Sequence, residues 1–183
     1  MRIDIFNTKN RYEILYSDPP WKQAKGGLRK CRPNQTRQLD YNTLSLEDIK
    51  NYHLQAMSLC EENHACFMWT IDKYLHECEH MMSDLGYKLH ARIIWDKENG
   101  IAPAFTVRFS HEYLLWFYKG KMKPIAKEQR GKYTTVLREK STIHSKKPIS
   151  GYEMIEKLYP DTNRLEMYAR NERQGWDCWG NEV

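Results

Sequence analysis

Several things are scarce in this chain of 183 residues, and each scarcity closes a class of function. No apolar run approaches the roughly 18 residues a membrane helix needs, and Met1-Arg2-Ile3-Asp4 opens no signal-peptide pattern, so a soluble, cytoplasmic protein is expected with no membrane partner. The five cysteines, Cys31, Cys60, Cys66, Cys78 and Cys178, are odd in number and include no C-x-x-C pair, which argues against a zinc site or a disulfide framework and leaves packed free thiols. His76 and His80 have metal-ligand spacing but no third ligand, so they read as surface histidines and no metal is expected. The nine glycines form no Gly-x-Gly-x-x-Gly, so the first strand is not followed by the usual dinucleotide-type phosphate loop.

Acidic residues are also missing from one long stretch. Lys22 to Gln38 contains no Asp or Glu but holds Lys22, Lys25, Arg29, Lys30, Arg32 and Arg37. A second basic run, Lys119 to Lys147, includes Lys127, Arg130 and Lys132 against only Glu128 and Glu139. With a net charge of +5, such clustering points to a polyanion partner, or to two solvated loops. The length suits one domain, residues 1–183, able to bury a full core without disulfides.

The periodicity reads as alternating strands and helices. Ile14–Ser17 is a short buried strand, and a glycine-containing basic loop follows to about 42. Ser45 with Asp48 resembles a weakened capping box, and Leu46, Ile49, Leu54 and Met57 share a face, predicting a helix over about 46–60. Strands are predicted at 65–69, 89–95, 113–118, 164–168 and 176–179, with helices at 73–85, stopped by Gly86, and at 150–158. The segments 97–110 and 119–135 read as long loops of the kind that carry function. This alternation predicts an α/β fold with a largely parallel, covered sheet.

The densest signal follows the first strand. Asp18-Pro19-Pro20-Trp21 places a carboxylate and two proline-rigidified carbonyls at a strand end, where open α/β sheets bind ligands. An ordinary tight turn has the same composition. Three later patterns accompany it: His111-Glu112-Tyr113-Leu114-Leu115; His144-Ser145-Lys146-Lys147-Pro148; and Leu165-Glu166-Met167-Tyr168-Ala169-Arg170 leading to Gly175-Trp176-Asp177-Cys178-Trp179-Gly180-Asn181-Glu182. In this order they resemble, over essentially the whole chain, the adenine-N6 methyltransferase family that includes the catalytic subunit of the eukaryotic messenger-RNA adenosine methyltransferase. The compact length is similar to its bacterial and phage branch.

That resemblance implies a Rossmann-like, S-adenosylmethionine-dependent methyltransferase fold with circularly permuted, beta-class motif order. Asp18, Pro19, Pro20 and Trp21 would form the catalytic side, the carboxylate and the Pro19 carbonyl holding the adenine amine while Trp21 stacks on or walls in the base. Lys147, with Ser145 beside it, would bind the methionine carboxylate. Arg170, Asn181 and Glu182 would line the ribose, with Asn171 near the same pocket, and Asp4-Ile5 would hold the cofactor's adenine. His111 and Glu112 would open the strand beside the catalytic one and order the floor of the site, and Glu166 would reach the cofactor or satisfy a buried neighbour. The basic loops, 22–42, 97–110 and 119–135, would rim the cleft and contact phosphates through Lys22, Lys25, Arg29, Lys30, Arg32, Lys127, Arg130 and Lys132.

The expected reaction is methyl transfer to adenine N6 in nucleic acid, DNA before RNA. The rivals are cytosine N4 as acceptor and a non-catalytic nucleic-acid-binding relative that supports an active partner. A homodimer is also expected.

Overall fold

The computed structural model describes residues 1–22, 43–98, 107, 109–142, 146–180 and 183. Seven strands form one sheet: β1 (Tyr12–Ser17), β2 (Cys60–Thr70), β3 (Lys88–Asp96), β4 (His111–Lys119), β5 (Val136–Arg138), β6 (Arg164–Met167) and β7 (Asp177–Trp179), in the order β5-β3-β4-β2-β1-β6-β7. Among the described residues three α-helices cover it: α1 (Leu46–Ser58), α2 (Leu75–Asp84) and α3 (Ile149–Leu158). Parallel pairs join β1 to β2 and β6, β6 to β7, and β3 to β5, while β4 runs antiparallel to both β2 and β3. The sheet is thus mixed, and the largely parallel expectation is corrected at β4. Its antiparallel course follows from entering the sheet through the 97–110 connection, which leaves β3 and returns at the same end, as Lys97 N–H bonding to the Ser110 carbonyl at 3.0 Å shows.

The buried side chains fall into two clusters, one on each face. Leu15, Cys66, Met68, Leu115 and Met167 pack with Ile49, Ala56, Cys78 and Met82 of α1 and α2. Tyr16, Phe67, Trp69, Leu114 and Trp116 pack with Met154, Ile155 and Leu158 of α3. The alternation of neighbouring strand residues between clusters is the period of two. Both faces are covered, so β2 is buried continuously from His64 to Thr70 and shows no polar alternation.

Capping sets where α1 begins. The Ser45 side chain accepts from Asp48 N–H and the Asp48 carboxylate accepts from Ser45 N–H, a complete capping box. The buried face differs from the expected one: Leu46 and Leu54 are 37% and 42% exposed, and Ile49, His53 and Ala56 face the sheet. A histidine occupies a position that hydrophobic periodicity alone assigns to an apolar side chain. Helix α2 follows a single 3₁₀ turn at Asp72–Tyr74 and ends where Gly86 adopts φ 83°, a left-handed value that glycine reaches without Cβ strain. Strand β5 has no counterpart among the predicted strands, because three residues are too few to express a period; pairing with β3 creates it.

Candidate active site

Chain order places a crevice at one end of β1. From β1 the chain crosses to β2 on one side, and only later adds β6 and β7 on the other, so the connections diverge at the C-terminal ends of β1 and β6. Ligands bind at such switch points in open α/β sheets. Ser17 is the last paired residue of β1, opposite Met68 and Met167, and Asp18 follows it into the crevice.

The two prolines stop the ladder, but their carbonyls are not left open as the sequence suggested. Pro19 C=O accepts Trp21 N–H at 2.8 Å, and Pro20 C=O accepts Leu44 N–H at 3.0 Å, in a short bridge between Trp21 and Leu44. A carbonyl has two lone pairs, so Pro19 keeps one acceptor site. The Trp21 ring is 4% exposed, stacks on Tyr74 at 5.2 Å, and donates its indole N–H to the Trp69 carbonyl at 3.0 Å. Of the two expected roles, stacking on the base or walling it in, the indole's bond to Trp69 and its stack on Tyr74 suit the wall.

Asp18 sits in a buried charge network. Lys147 Nζ lies 2.9 Å from Asp18 Oδ1 and 2.9 Å from Glu112 Oε2, and Lys97 Nζ lies 2.5 Å from Glu112 Oε1. Two carboxylates and two ammonium groups balance. The side chains of Asp18, Lys147 and Glu112 are 21%, 13% and 14% exposed, so water screens them little. Burial pushes the Asp18 carboxyl up against the pull of Lys147. For Lys147, burial favours loss of the proton, yet the two flanking carboxylates hold its affinity above the ordinary lysine value. Glu112 is held below the ordinary carboxylate range, because Lys147 and Lys97 outweigh its own burial.

Lys147 is aimed there by residues that no sequence motif singles out. It stands one residue before Pro148, the N-cap of α3, whose first free N–H groups, on Ile149 and Ser150, donate to the Glu139 carboxylate at 2.9 Å each. These bonds depress the Glu139 carboxyl against its partial burial. Glu139 N–H also bonds to the Asp96 carbonyl at 3.3 Å, tying the approach to α3 to the end of β3. Nothing in the spacing between Glu139 and Ile149 marks this cap. Lys147 also stands 5.6 Å from the centre of the Trp69 ring.

A second buried acid lies beside β1. Glu166 pairs in register with Tyr16 and accepts from Tyr152 O–H at 2.6 Å, while Trp69 indole N–H donates to Tyr16 O–H at 2.5 Å. Burial raises the Glu166 carboxyl to about 7, with the Asp18 charge adding to it against the Tyr152 hydrogen bond. Of the two roles left open, satisfying a buried neighbour is the one this contact supplies.

Across the crevice, Tyr168 leaves β6 with φ 61°, and a Cβ at Gly180 would stand 2.3 Å from the Ala169 carbonyl oxygen, so only glycine fits there. Arg170 is half-buried next to this turn, and its charge acts on Asp18; Asn171 is exposed. The N-terminal segment runs beside β7, with Ile3 N–H bonded to the Cys178 carbonyl at 2.9 Å, which brings Asp4 and Ile5 near the end of that strand. Ile5 is fully buried, and the exposed Asp4 carboxylate caps its own turn by accepting from Phe6 N–H at 3.0 Å and from the Asn7 amide. Ser145, Asn181 and Glu182 lie outside the described residues.

The basic residues divide. Lys22 is exposed at the crevice end, its carbonyl bonded to Tyr74 O–H; Lys25, Arg29, Lys30 and Arg32, and most of 97–110, lie outside the described residues. The 119–135 segment does not rim the crevice, contrary to expectation. Because β4 is antiparallel, Lys119 emerges at the opposite end of the sheet from Glu112, and Lys123 pairs with Glu13 at the start of β1. Ala126 N–H bonds to the Leu158 carbonyl at the far end of α3, which keeps Lys127 there; Arg130 and Lys132 lie on the return toward β5. Nor is β4 beside β1: β2 separates them, although Glu112 still reaches the network through Lys147. His111 bonds to Tyr113 O–H at 3.0 Å rather than to Asp18. Of the remaining candidates, His76 and His80 are exposed, and the four described cysteines are buried free thiols.

With the Asp18-Pro19-Pro20-Trp21 turn set at a sheet crevice opposite Lys147, comparison with known proteins becomes decisive. The MT-A70 family model matches residues 12–182. The chain belongs to the MT-A70 family. Among similar proteins, the Type II methyltransferase M.MunI of Mycoplasma sp is 26% identical over 189 residues, covering 96% of this chain and 79% of that one. The human N(6)-adenosine-methyltransferase catalytic subunit METTL3 is 25% identical over 183 residues, covering 94% of this chain but 28% of its own length. A putative N(6)-adenosine-methyltransferase MT-A70-like protein of Medicago truncatula is 25% identical and matched over 28% of its length. This MT-A70 chain thus spans about a quarter of those longer relatives and most of the bacterial one. Its mixed seven-stranded α/β sheet is consistent with a methyltransferase fold.

Proposed function

We propose that the chain transfers a methyl group from S-adenosylmethionine to adenine N6 in nucleic acid, with DNA as the first substrate to test. The observation that carries this reading is the buried Asp18–Lys147 pair, 2.9 Å apart at the switch point of the sheet. It offers an acceptor for an amine and a cation for a carboxylate in one crevice. The donor set fits the cofactor: Lys147 is a point charge suited to its carboxylate, Arg170 stands on the β6 side, and the Tyr168 hydroxyl is buried with no hydrogen-bond partner among the described residues. When bound, S-adenosylmethionine supplies an electrophilic methyl group on a sulfonium.

The chain's own part is to make a poor nucleophile competent. The lone pair of adenine N6 is delocalised into the ring; hydrogen bonds from N6–H to the Asp18 carboxylate and to the remaining lone pair of Pro19 C=O favour a pyramidal nitrogen. With the cofactor held by Lys147 on this side of the crevice, the N–C bond would form as the C–S bond to the methyl breaks, with one N6 proton passing to solvent, so that positioning and electrostatics would carry the rate. Trp21 keeps the turn rigid from behind, and Lys22 with the basic segment after it supplies phosphate contacts. A base within a duplex must be turned out before its N6 is reached. An interior strand, β1, comes first in the chain and the β6-β7 edge last, in keeping with a circularly permuted methyltransferase within one domain.

The bacterial relative, named a Type II methyltransferase, favours DNA; the plant and human relatives, named N(6)-adenosine-methyltransferases, favour RNA as the second reading. A non-catalytic role is disfavoured by the intact Asp18 and Lys147. The test is transfer of labelled methyl to matched duplex DNA, single-stranded DNA and RNA, followed by nucleoside analysis. N6-methyladenine is expected, with the duplex DNA arm highest. No binding of S-adenosylmethionine by calorimetry together with no transferred label sinks the enzyme reading; N4-methylcytosine reassigns the acceptor.

A further inference from the structure

One buried imidazole touches both strand ends that flank the crevice. His53 is fully buried on α1, and its Nε2 is 2.9 Å from Ser17 Oγ, the side chain immediately before Asp18. Its Nδ1 is 2.8 Å from the Ile49 carbonyl, which has no proton to give, so Nδ1 carries the hydrogen and Nε2 accepts from the Ser17 hydroxyl. The ring centre is also 5.9 Å from that of Tyr168, the residue with φ 61° at the end of β6.

Consecutive strand residues point to opposite faces, so Ser17 faces α1 while Asp18 faces α3 and Lys147. Fixing the roll of the strand at Ser17 therefore fixes the direction of Asp18. The ladder cannot do this beyond Ser17, because Pro19 and Pro20 donate no hydrogen bond. Lys147 supplies charge from the far side, but a flexible ammonium does not hold a backbone. We propose that His53, through Ser17, is a positioning residue that sets the orientation of Asp18 for the transfer step, an inference that rests on the methyltransferase reading. A buried neutral ring suits such a role, since burial holds the imidazole down at about 4 and the contact with Ser17 does not change across the neutral range. Among the described residues, the groups that face it are the Ser17 hydroxyl, the Ile49 carbonyl and the Tyr168 ring, none of them charged in that range.

A double-mutant cycle separates positioning from mere packing. Ser17→Ala leaves the His53 acceptor buried and unpaired, and His53→Phe leaves the Ser17 hydroxyl so; both single variants should lose stability, and the double variant should regain much of it, since an apolar pair replaces a polar one. The expected result is that kcat for methyl transfer falls at least tenfold in both single variants and stays down in the double variant. S-adenosylmethionine affinity by calorimetry should remain within about twofold, because Lys147 and Arg170 are untouched. If kcat returns with stability in the double variant, or if affinity falls while kcat holds, the positioning role is overturned. Should His53→Phe fail to fold, Ser17→Ala alone decides, assayed below its melting midpoint: unchanged kcat rejects the proposal. An inactive wild-type protein would instead sink the underlying reading, so the two failures are told apart.

Discussion

The two faces of β1 solve opposite electrostatic problems within five residues. Toward α3, Tyr16 and Asp18 meet Glu166, Lys147 and Glu112, ionisable groups held in low exposure by mutual compensation. Toward α1, Leu15 and Ser17 meet a sulfur-rich apolar cluster with one neutral imidazole. The difference teaches where chemistry can be placed: a charged face needs every partner present, whereas a neutral face can hold a backbone still without changing its charge near neutral pH.

Removing Asp18 strikes the charged face hardest. Asp18→Ala should lower methyl transfer by roughly a thousandfold or more, comparable to loss of a principal transition-state contact, while S-adenosylmethionine binding by calorimetry is largely spared. Equal loss of both would mean that Asp18 belongs to the cofactor side, and the division of roles proposed above would have to be redrawn.

Lys147→Met should be the costliest change for folding, because it takes from Asp18 its ion-pair partner at 2.9 Å and leaves Glu112 with Lys97. Removing one partner of a buried ion pair costs on the order of 3 kcal/mol, and here Asp18 and Glu112 can recover part of that by taking up a proton. Denaturant titration at pH 7 and at pH 5 checks this: the deficit should shrink at the lower pH. A variant as stable as wild type at both would show the network to be hydrated and of no consequence.

Acid–base linkage sharpens the contrast between faces. Glu166 titrates at about 7 in the fold against 4.5 unfolded, so its contribution to stability is lost as pH rises from about 4.5 to 7. His53 titrates at about 4 against 6.5, so its contribution is lost as pH falls from about 6.5 to 4. Each shift is worth at most about 3 kcal/mol, and over the shared window the two slopes oppose one another. Glu166→Gln should therefore gain stability relative to wild type as pH rises through this window, and His53→Asn should lose most at its upper end. Parallel pH profiles for wild type and Glu166→Gln would sink the assignment.

Legibility followed the range of the interactions. The strands β1 and β4, the helix α1 with its Ser45–Asp48 box, and the placement of Asp18 at a strand end were readable, because each is written in a few adjacent residues. The resemblance brought Lys147 to the same crevice. What could not be read depends on direction and distance: the antiparallel run of β4 moved Lys127 to the other end, and indole packing closed Trp21. His53 was within reach, since it lies one turn after Ile49 on the helix face that the core requires, where a polar residue asks for a partner.

The smallest effect tests how Lys147 is held rather than what it does. Glu139 caps α3 by accepting from Ile149 and Ser150 N–H, eight residues upstream of Lys147 in sequence but at the same helix end. Glu139→Gln keeps the shape and one acceptor oxygen but removes the charge that complements the helix N-terminus, at a cost of about 1 kcal/mol. Since Lys147 is fixed by the helix start and by two carboxylates, loosening only the helix start should weaken S-adenosylmethionine affinity a few fold, with kcat at saturation close to wild type. A fall in kcat without loss of affinity would show instead that the cap, like His53 on the other face, governs the direction of Asp18.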